Sequence, residues 1–264
     1  MSANEARAYW EQRLREHPNE RGVGCGAAGL AYNRWLYRLR RFRFRRVLRR
    51  IPWPVGQARV LDVGCGTGFY IEQWKRAGAK SVEGLDLTEA SVERLADLHP
   101  DCRFHRADIA DEADSLSSGP FDVVSAYDVL FHIVDDQRYL TALRRIAGLM
   151  PSGGYFLYSD NFVHHEHARS GTYHYSRTIQ AIAAALDEAG FEVIERVPMF
   201  VLMNAPDDSK SPALRFWWRL VSAVLRRGER LSGLLGALLF PVDLLLTNVV
   251  KESPTTEIAI CRRR

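Results

Sequence analysis

Between residues 59 and 197, short apolar runs alternate with longer amphipathic stretches. This is the pattern that builds a parallel sheet with helices on both faces. The runs at 59–63, 81–86, 102–106, 121–127 and 154–160 read as strands, all but the first closing on a polar or acidic residue. Apolar residues recur at helical spacing over 68–77, 89–98, 137–149 and 177–189. Gly78, Pro100, Pro151 and Gly190 follow these four stretches and end helices for backbone reasons. Two more strands read at 191–197 and 257–261, separated by a helical insertion over 204–253. The predicted class is α/β.

In open parallel sheets, ligands lie beyond the carboxyl ends of the strands, so Asp62, Asp86, Asp108 and Asp128 are expected to converge on one crevice. The run 60–69, VLDVGCGTGF, sets an acid and three glycines between an apolar strand and a helix. Glycine alone lets a ligand approach that backbone closely, and the free N–H groups and helix dipole there suit an anion. Gly64, Gly66 and Gly68, with Cys65 inside the turn, follow GxGxG. The third glycine of a dinucleotide fingerprint is replaced by Phe69, and no phosphate-cradling lysine follows. Asp86, at the tip of the second strand, is placed to accept from the two hydroxyls of a ribose. Asp108 is placed to take the amine of adenine, with Leu87 and Ile109 on the two faces of the ring.

With those residues in view, the chain resembles the class I S-adenosylmethionine-dependent methyltransferase family over 59–197 and its last strand. DVGCGTG at 62–68 is similar to the family's first motif, GLDLT at 84–88 to its ribose strand, and RADI at 106–109 to its adenine motif. FDVVSAYDVLFHI and LMPSGGYFLYSD resemble the fourth and fifth strands with their flanking helices. The resemblance implies S-adenosyl-L-methionine as cofactor, with Asp62 toward its ammonium and Ala126 and Tyr127 beside its methionine half. It also implies a Rossmann-like, seven-stranded, mostly parallel sheet whose last strand, TEIAIC, is antiparallel.

A methyl on a cationic sulfur needs mainly in-line positioning, and an oxygen or nitrogen acceptor gains from a base. His132, after the fourth strand, is the first candidate, although a similar histidine is structural in many family members. Asp160 and His165 lie in a His- and Glu-rich stretch after the fifth strand and are expected to face the acceptor. No NPPY-like tetrapeptide follows the fourth strand, which disfavours nucleobases and leaves ribose or cap methylation open. The expected acceptor is a small, partly apolar molecule methylated on oxygen. The alternatives are RNA and a cofactor-binding protein without catalysis.

Composition adjusts this picture at its edges. The chain has 264 residues, 47% hydrophobic and 26% charged, enough for one substantial core. Cys25, Cys65, Cys102 and Cys261 lack the spacing of a metal site or disulfide framework, and no metal is expected. No signal peptide is visible, so a cytoplasmic location is expected. Net charge is only +4, yet no acid occurs between Arg21 and Arg59, and nine arginines fall between residues 32 and 50. That stretch reads either as a solvated basic helix face or as an anion-attracting patch.

Residues 1–58 are read as a helical extension, with helices at 4–16 and 30–50, and 59–264 as the methyltransferase domain. Segment 231–250 is strongly apolar, but Pro241 and Asp243 near its centre oppose a transmembrane span. It is read as a lid over an apolar pocket, a homodimer face, or a peripheral membrane contact helped by Arg226, Arg227 and Arg230.

Overall fold

A computed structural model describes residues 3–113, 119–169 and 172–264. Seven strands form the main sheet in the order β3-β2-β1-β4-β5-β9-β8. They are β1 (Arg59–Val63), β2 (Ser81–Asp86), β3 (Arg103–Arg106), β4 (Val123–Ala126), β5 (Tyr155–Asp160), β8 (Phe191–Pro198) and β9 (Glu257–Arg263). The first five run parallel, and β9 inserts antiparallel between β5 and β8, as the resemblance implied. Strand order reverses between β1 and β4, so the crevice of this sheet opens beyond the ends of those two strands.

Alternation along each strand sends side chains to two cores. Val60, Val82, Val123 and Leu157 face one core, while Leu61, Val63, Val124 and Phe156 face the other. The second core is closed by α6 (Asp136–Gly148) and α7 (Ile179–Glu188), which bury Tyr139, Leu143, Ile146, Ile182 and Leu186. The first core is closed by α4 (Phe69–Arg76) and α5 (Glu89–Leu98), and also by α3 (Gly29–Leu48), whose Tyr32, Leu36, Leu39, Phe44 and Val47 are buried. Asp135, Thr178 and Thr88 cap α6, α7 and α5 by accepting first-turn N–H groups, which fixes where each helix starts.

The extension is therefore part of the core. Ahead of α3 lie α1 (Ala3–Glu16) and a single turn, α2 (Glu20–Val23), held by the Asn19 side chain. The insertion forms α8 (Pro212–Leu225) and α9 (Glu229–Val249), with α9 packed along α3. A hairpin, β6 (Ala168–Arg169) with β7 (Tyr175–Ser176), falls in the polar stretch after β5, where two-residue strands leave no periodicity to read.

The arginines of α3 divide by helical position rather than forming one solvated face. Arg40 and Arg43 are buried. Arg38 lies over the Trp35 ring at 4.6 Å and Arg41 over Phe69 at 5.9 Å, each covering aromatic surface.

Candidate cofactor and acceptor cleft

At the turn between β1 and α4 the backbone doubles back through Gly64, Gly66 and Gly68, with φ of +69°, +51° and +86°. Those left-handed values favour glycine, and space requires it as well. A β-carbon on Gly66 would stand 2.9 Å from the Val23 side chain, and one on Gly68 would stand 2.5 Å from Leu95. The turn is fastened by Gly64 and Cys65 N–H groups donating to the Leu85 carbonyl at 2.7 and 3.0 Å.

A cleft opens over this turn, and Gly64, Cys65, Gly66, Asp86, Leu87, Asp108, Ile109, Tyr127 and His132 line it. Asp86 ends β2 buried at the cleft wall and accepts from the Gly66 N–H at 2.8 Å, the Thr88 N–H at 2.9 Å and the Thr88 hydroxyl at 2.7 Å. Burial still raises its pKa. Asp108, past β3, accepts from the Ala110 N–H at 2.8 Å and pairs with Arg138 at 2.6 Å. Three strand tips thus bring a glycine cradle, an acid and a second acid flanked by Leu87 and Ile109 onto one wall. This set suits an adenosine bearing a compact charged tail.

Other expected residues lie off that wall. Asp62 sits behind it, its carboxylate accepting from the Ser125 hydroxyl at 2.7 Å, which in turn accepts from Trp74 Nε1 at 2.9 Å. Burial pushes the Asp62 pKa up to about 7, with the nearby Asp86 charge adding to the effect. Gly68 and Ala126 support the turn and β4 from beneath, without reaching the cleft surface. Burial raises the Cys65 thiol well above its ordinary value, so the cysteine is inert wall.

The second catalytic cluster is not assembled as expected. Asp160 is fully buried at the end of β5, accepts from the Asn161 N–H at 2.7 Å, and leaves its other oxygen without a partner. His165 is exposed on the loop beyond and does not line the cleft. The reason is local: Asn161 Nδ2 bridges to Ser176 at 3.3 Å and Asp207 at 3.1 Å, and His164 binds Asp208 at 2.5 Å, which draws this stretch toward the insertion. Among the described residues, no group of three His, Cys, Asp or Glu side chains has the arrangement of a metal site.

His132 does reach the cleft. Its Nδ1 lies 2.5 Å from the Tyr173 carbonyl, an acceptor only, so Nδ1 carries the proton and Nε2 keeps its lone pair. Burial lowers its pKa to about 4, keeping the ring neutral at ordinary pH. Trp10 meets it edge-on at 4.8 Å.

The covering wall was the part least visible in the sequence. Ala6, Trp10 and Leu14 of α1 close over the cleft, and Val23 and Tyr37 continue that surface. The signal was the Tyr9-Trp10 pair in a helix rich in charged residues. Tyr9 stacks on Tyr173 at 4.0 Å, and Glu11 accepts from the Glu89 and Ala90 N–H groups at 2.8 and 3.1 Å, pinning α1 to the start of α5. Deeper in, Tyr70 and Tyr127 stack at 4.0 Å, and both hydroxyls are buried without hydrogen-bond partners. Asp128 sits beside them at φ +59° and accepts from Ser159 at 2.9 Å and from Arg40 at 2.6 Å.

The sheet order, the glycine turn and the acids at successive strand tips define the class I S-adenosylmethionine-dependent methyltransferase architecture. Residues 32–196 match the family model described as a methyltransferase domain, and the chain belongs to that family. The ubiquinone biosynthesis O-methyltransferase of Ralstonia nicotianae is 36% identical over 119 residues, covering 42% of this chain and 48% of that protein. The chain thus matches about half the length of this curated relative. Two solved structures share the fold. Magnesium protoporphyrin IX methyltransferase from Synechocystis PCC 6803, with bound S-adenosylhomocysteine, has TM-score 0.59 at 16% identity and covers 100% of both chains. The [4+2]-cyclase SpnF has TM-score 0.55 at 19% identity, covering 84% of this chain and 80% of its own.

Proposed function

We propose that this chain transfers a methyl group from S-adenosylmethionine to an oxygen of a small, partly apolar acceptor. The observation that carries the reading is an aromatic chamber under α1, next to the cofactor wall, in which a neutral His132 keeps Nε2 as an acceptor. The glycine cradle, Asp86 and the Leu87–Asp108–Ile109 edge fit the cofactor, which when bound supplies an electrophilic methyl on a cationic sulfur. Asp86 would hold the ribose, Leu87 and Ile109 would enclose the base, and α1 would exclude water, strengthening every charge interaction inside. His132 would take the acceptor's hydroxyl proton at Nε2. Tyr70 and Tyr127, whose hydroxyls are unpartnered, would hydrogen-bond the acceptor's other polar groups. The name of the Ralstonia relative supports oxygen as the acceptor atom.

The test offers phenols and catechols together with S-adenosylmethionine and follows S-adenosylhomocysteine and the methyl ether by mass spectrometry. Ether formation is expected; product found only on amines or RNA, or no turnover with any acceptor, would overturn the reading. His132→Ala should lower turnover by about 10²–10⁴-fold with unchanged affinity for S-adenosylhomocysteine. Because the His132 pKa is lowered to about 4, its acid limb belongs near that value rather than near 6.5.

A further inference from the structure

The α9 helix is apolar on both sides. The residues it buries are Ser232, Gly236, Leu239, Asp243 and Thr247, mostly small or polar, with Leu235, Phe240 and Leu244 half-buried against the core beside them. Asp243 is spent inside, accepting from the Val201 and Leu202 N–H groups at 3.1 and 2.6 Å. The solvent side carries a further row of bulky residues: Leu238 is 72% exposed, Leu245 69% and Val249 80%, with Leu231, Leu234 and Val242 also open. The neighbouring helices continue this surface, since Phe42 of α3 touches Phe240 at 5.9 Å and α8 exposes Phe216 and Leu220. Soluble helices place such residues inward, and a contiguous exposed apolar face marks an interaction site.

Charge selects the occupant. Between residues 210 and 250 the only acids are Glu229 and Asp243. Asp243 is buried, and Glu229 accepts from the Leu30 and Ala31 N–H groups at 2.8 and 2.7 Å, so neither offers a free carboxylate outward. Arg215, Arg219, Arg226, Arg227 and Arg230 are all exposed along α8 and the turn into α9. A second copy would bring the same arginines to a face that offers them no free carboxylate between residues 210 and 250. Although α9 is long and apolar enough to cross a membrane, spanning would strip Asp243 and Gly236 from their partners. The remaining match is a surface that takes leucines into its hydrocarbon edge and returns negative charge at its headgroups.

We propose that α9, with the exposed ends of α8 and α3, docks the protein on anionic lipid membranes, with the helix lying in the interface plane. Nothing in this inference depends on methyl transfer, and its test reads binding alone. The full chain is floated with vesicles of phosphatidylcholine, with and without phosphatidylglycerol. It should bind the anionic vesicles and release from them in high salt. Leu238→Glu/Leu245→Glu should abolish binding, while Arg226→Glu/Arg227→Glu should weaken it about fivefold or more per residue. All four positions are exposed, and circular dichroism with thermal melting verifies that the variants fold. Equal flotation of wild type and variants, or no flotation of either, overturns the proposal. So does a wild-type dimer in sedimentation that Leu238→Glu/Leu245→Glu converts to monomer without any vesicle binding.

Discussion

Asp62 shows how one buried carboxyl couples the cofactor wall to the stability of the fold. Its pKa rises from an ordinary 3.8 to about 7, chiefly through burial, so between those values the native state binds a proton that the unfolded chain releases. The resulting stability is fully present below the lower value and is lost as pH rises through the upper one. Asp160 behaves in the same direction, also reaching about 7, whereas His132, lowered to about 4, weakens the native state as pH falls below 6.5. Asp62→Asn keeps an oxygen for the Ser125 hydroxyl and removes only the titration. The melting temperature of this variant, relative to wild type, should therefore climb between about pH 4 and about pH 7. A constant difference across that range would mean that the group is ionised throughout. At this scale, Asp62, Asp86 and the glycines were legible because they lie at the ends of short strand-like runs rich in apolar residues. The positions of Asp160 and His165 were not, because their placement depends on Asn161, Asp207 and Asp208 acting across more than forty residues.

The elements are joined by charges placed at their ends. The Arg40–Asp128 pair ties the middle of α3 to the tip of β4, with Arg40 lying over the Tyr37 and Phe200 rings at 4.8 and 4.9 Å. Both charges are largely buried, so removing one strands the other. Arg40→Met should lower unfolding free energy by about 3–5 kcal/mol in urea titration, and Arg40→Met/Asp128→Asn should recover a large part of that loss. A loss below about 1 kcal/mol would place the pair in the class of solvated surface bridges. Sequence periodicity located α3 closely, yet it could not sort the arginines into buried and exposed. The partners that decide the matter, Asp128 and Asn248, are 88 and 205 residues away.

For the molecule as a whole, the alternation of strand and helix revealed the sheet, including the antiparallel β9, because two periodicities differ so clearly along the chain. The lesson of α9 is the reverse. Its apolar composition left a lid, a homodimer face and a membrane contact open alike, while its contacts seat Leu235, Leu239, Phe240 and Leu244 inward, leave Leu238, Leu245 and Val249 outside and press Gly236 against Trp35. A β-carbon on Gly236 would come within 2.5 Å of the indole, so Gly236→Ala should cost about 1–3 kcal/mol of unfolding free energy by urea denaturation. Leu234→Ala, at an exposed position of the same helix, should change it by less than about 0.5 kcal/mol. Equal effects at the two sites would mean that α9 is loosely seated.

The capping of α3 by Glu229 sets an order of events during synthesis. A ribosome delivers α3 early, but the carboxylate that satisfies its first turn is made 199 residues after Leu30. Until then α3 has an unfinished start, and its Arg40 also waits for Asp128. The α3 helix thus leaves the exit tunnel well before the residues that lock it, and shortening the chain before residue 229 leaves it without its closing contact.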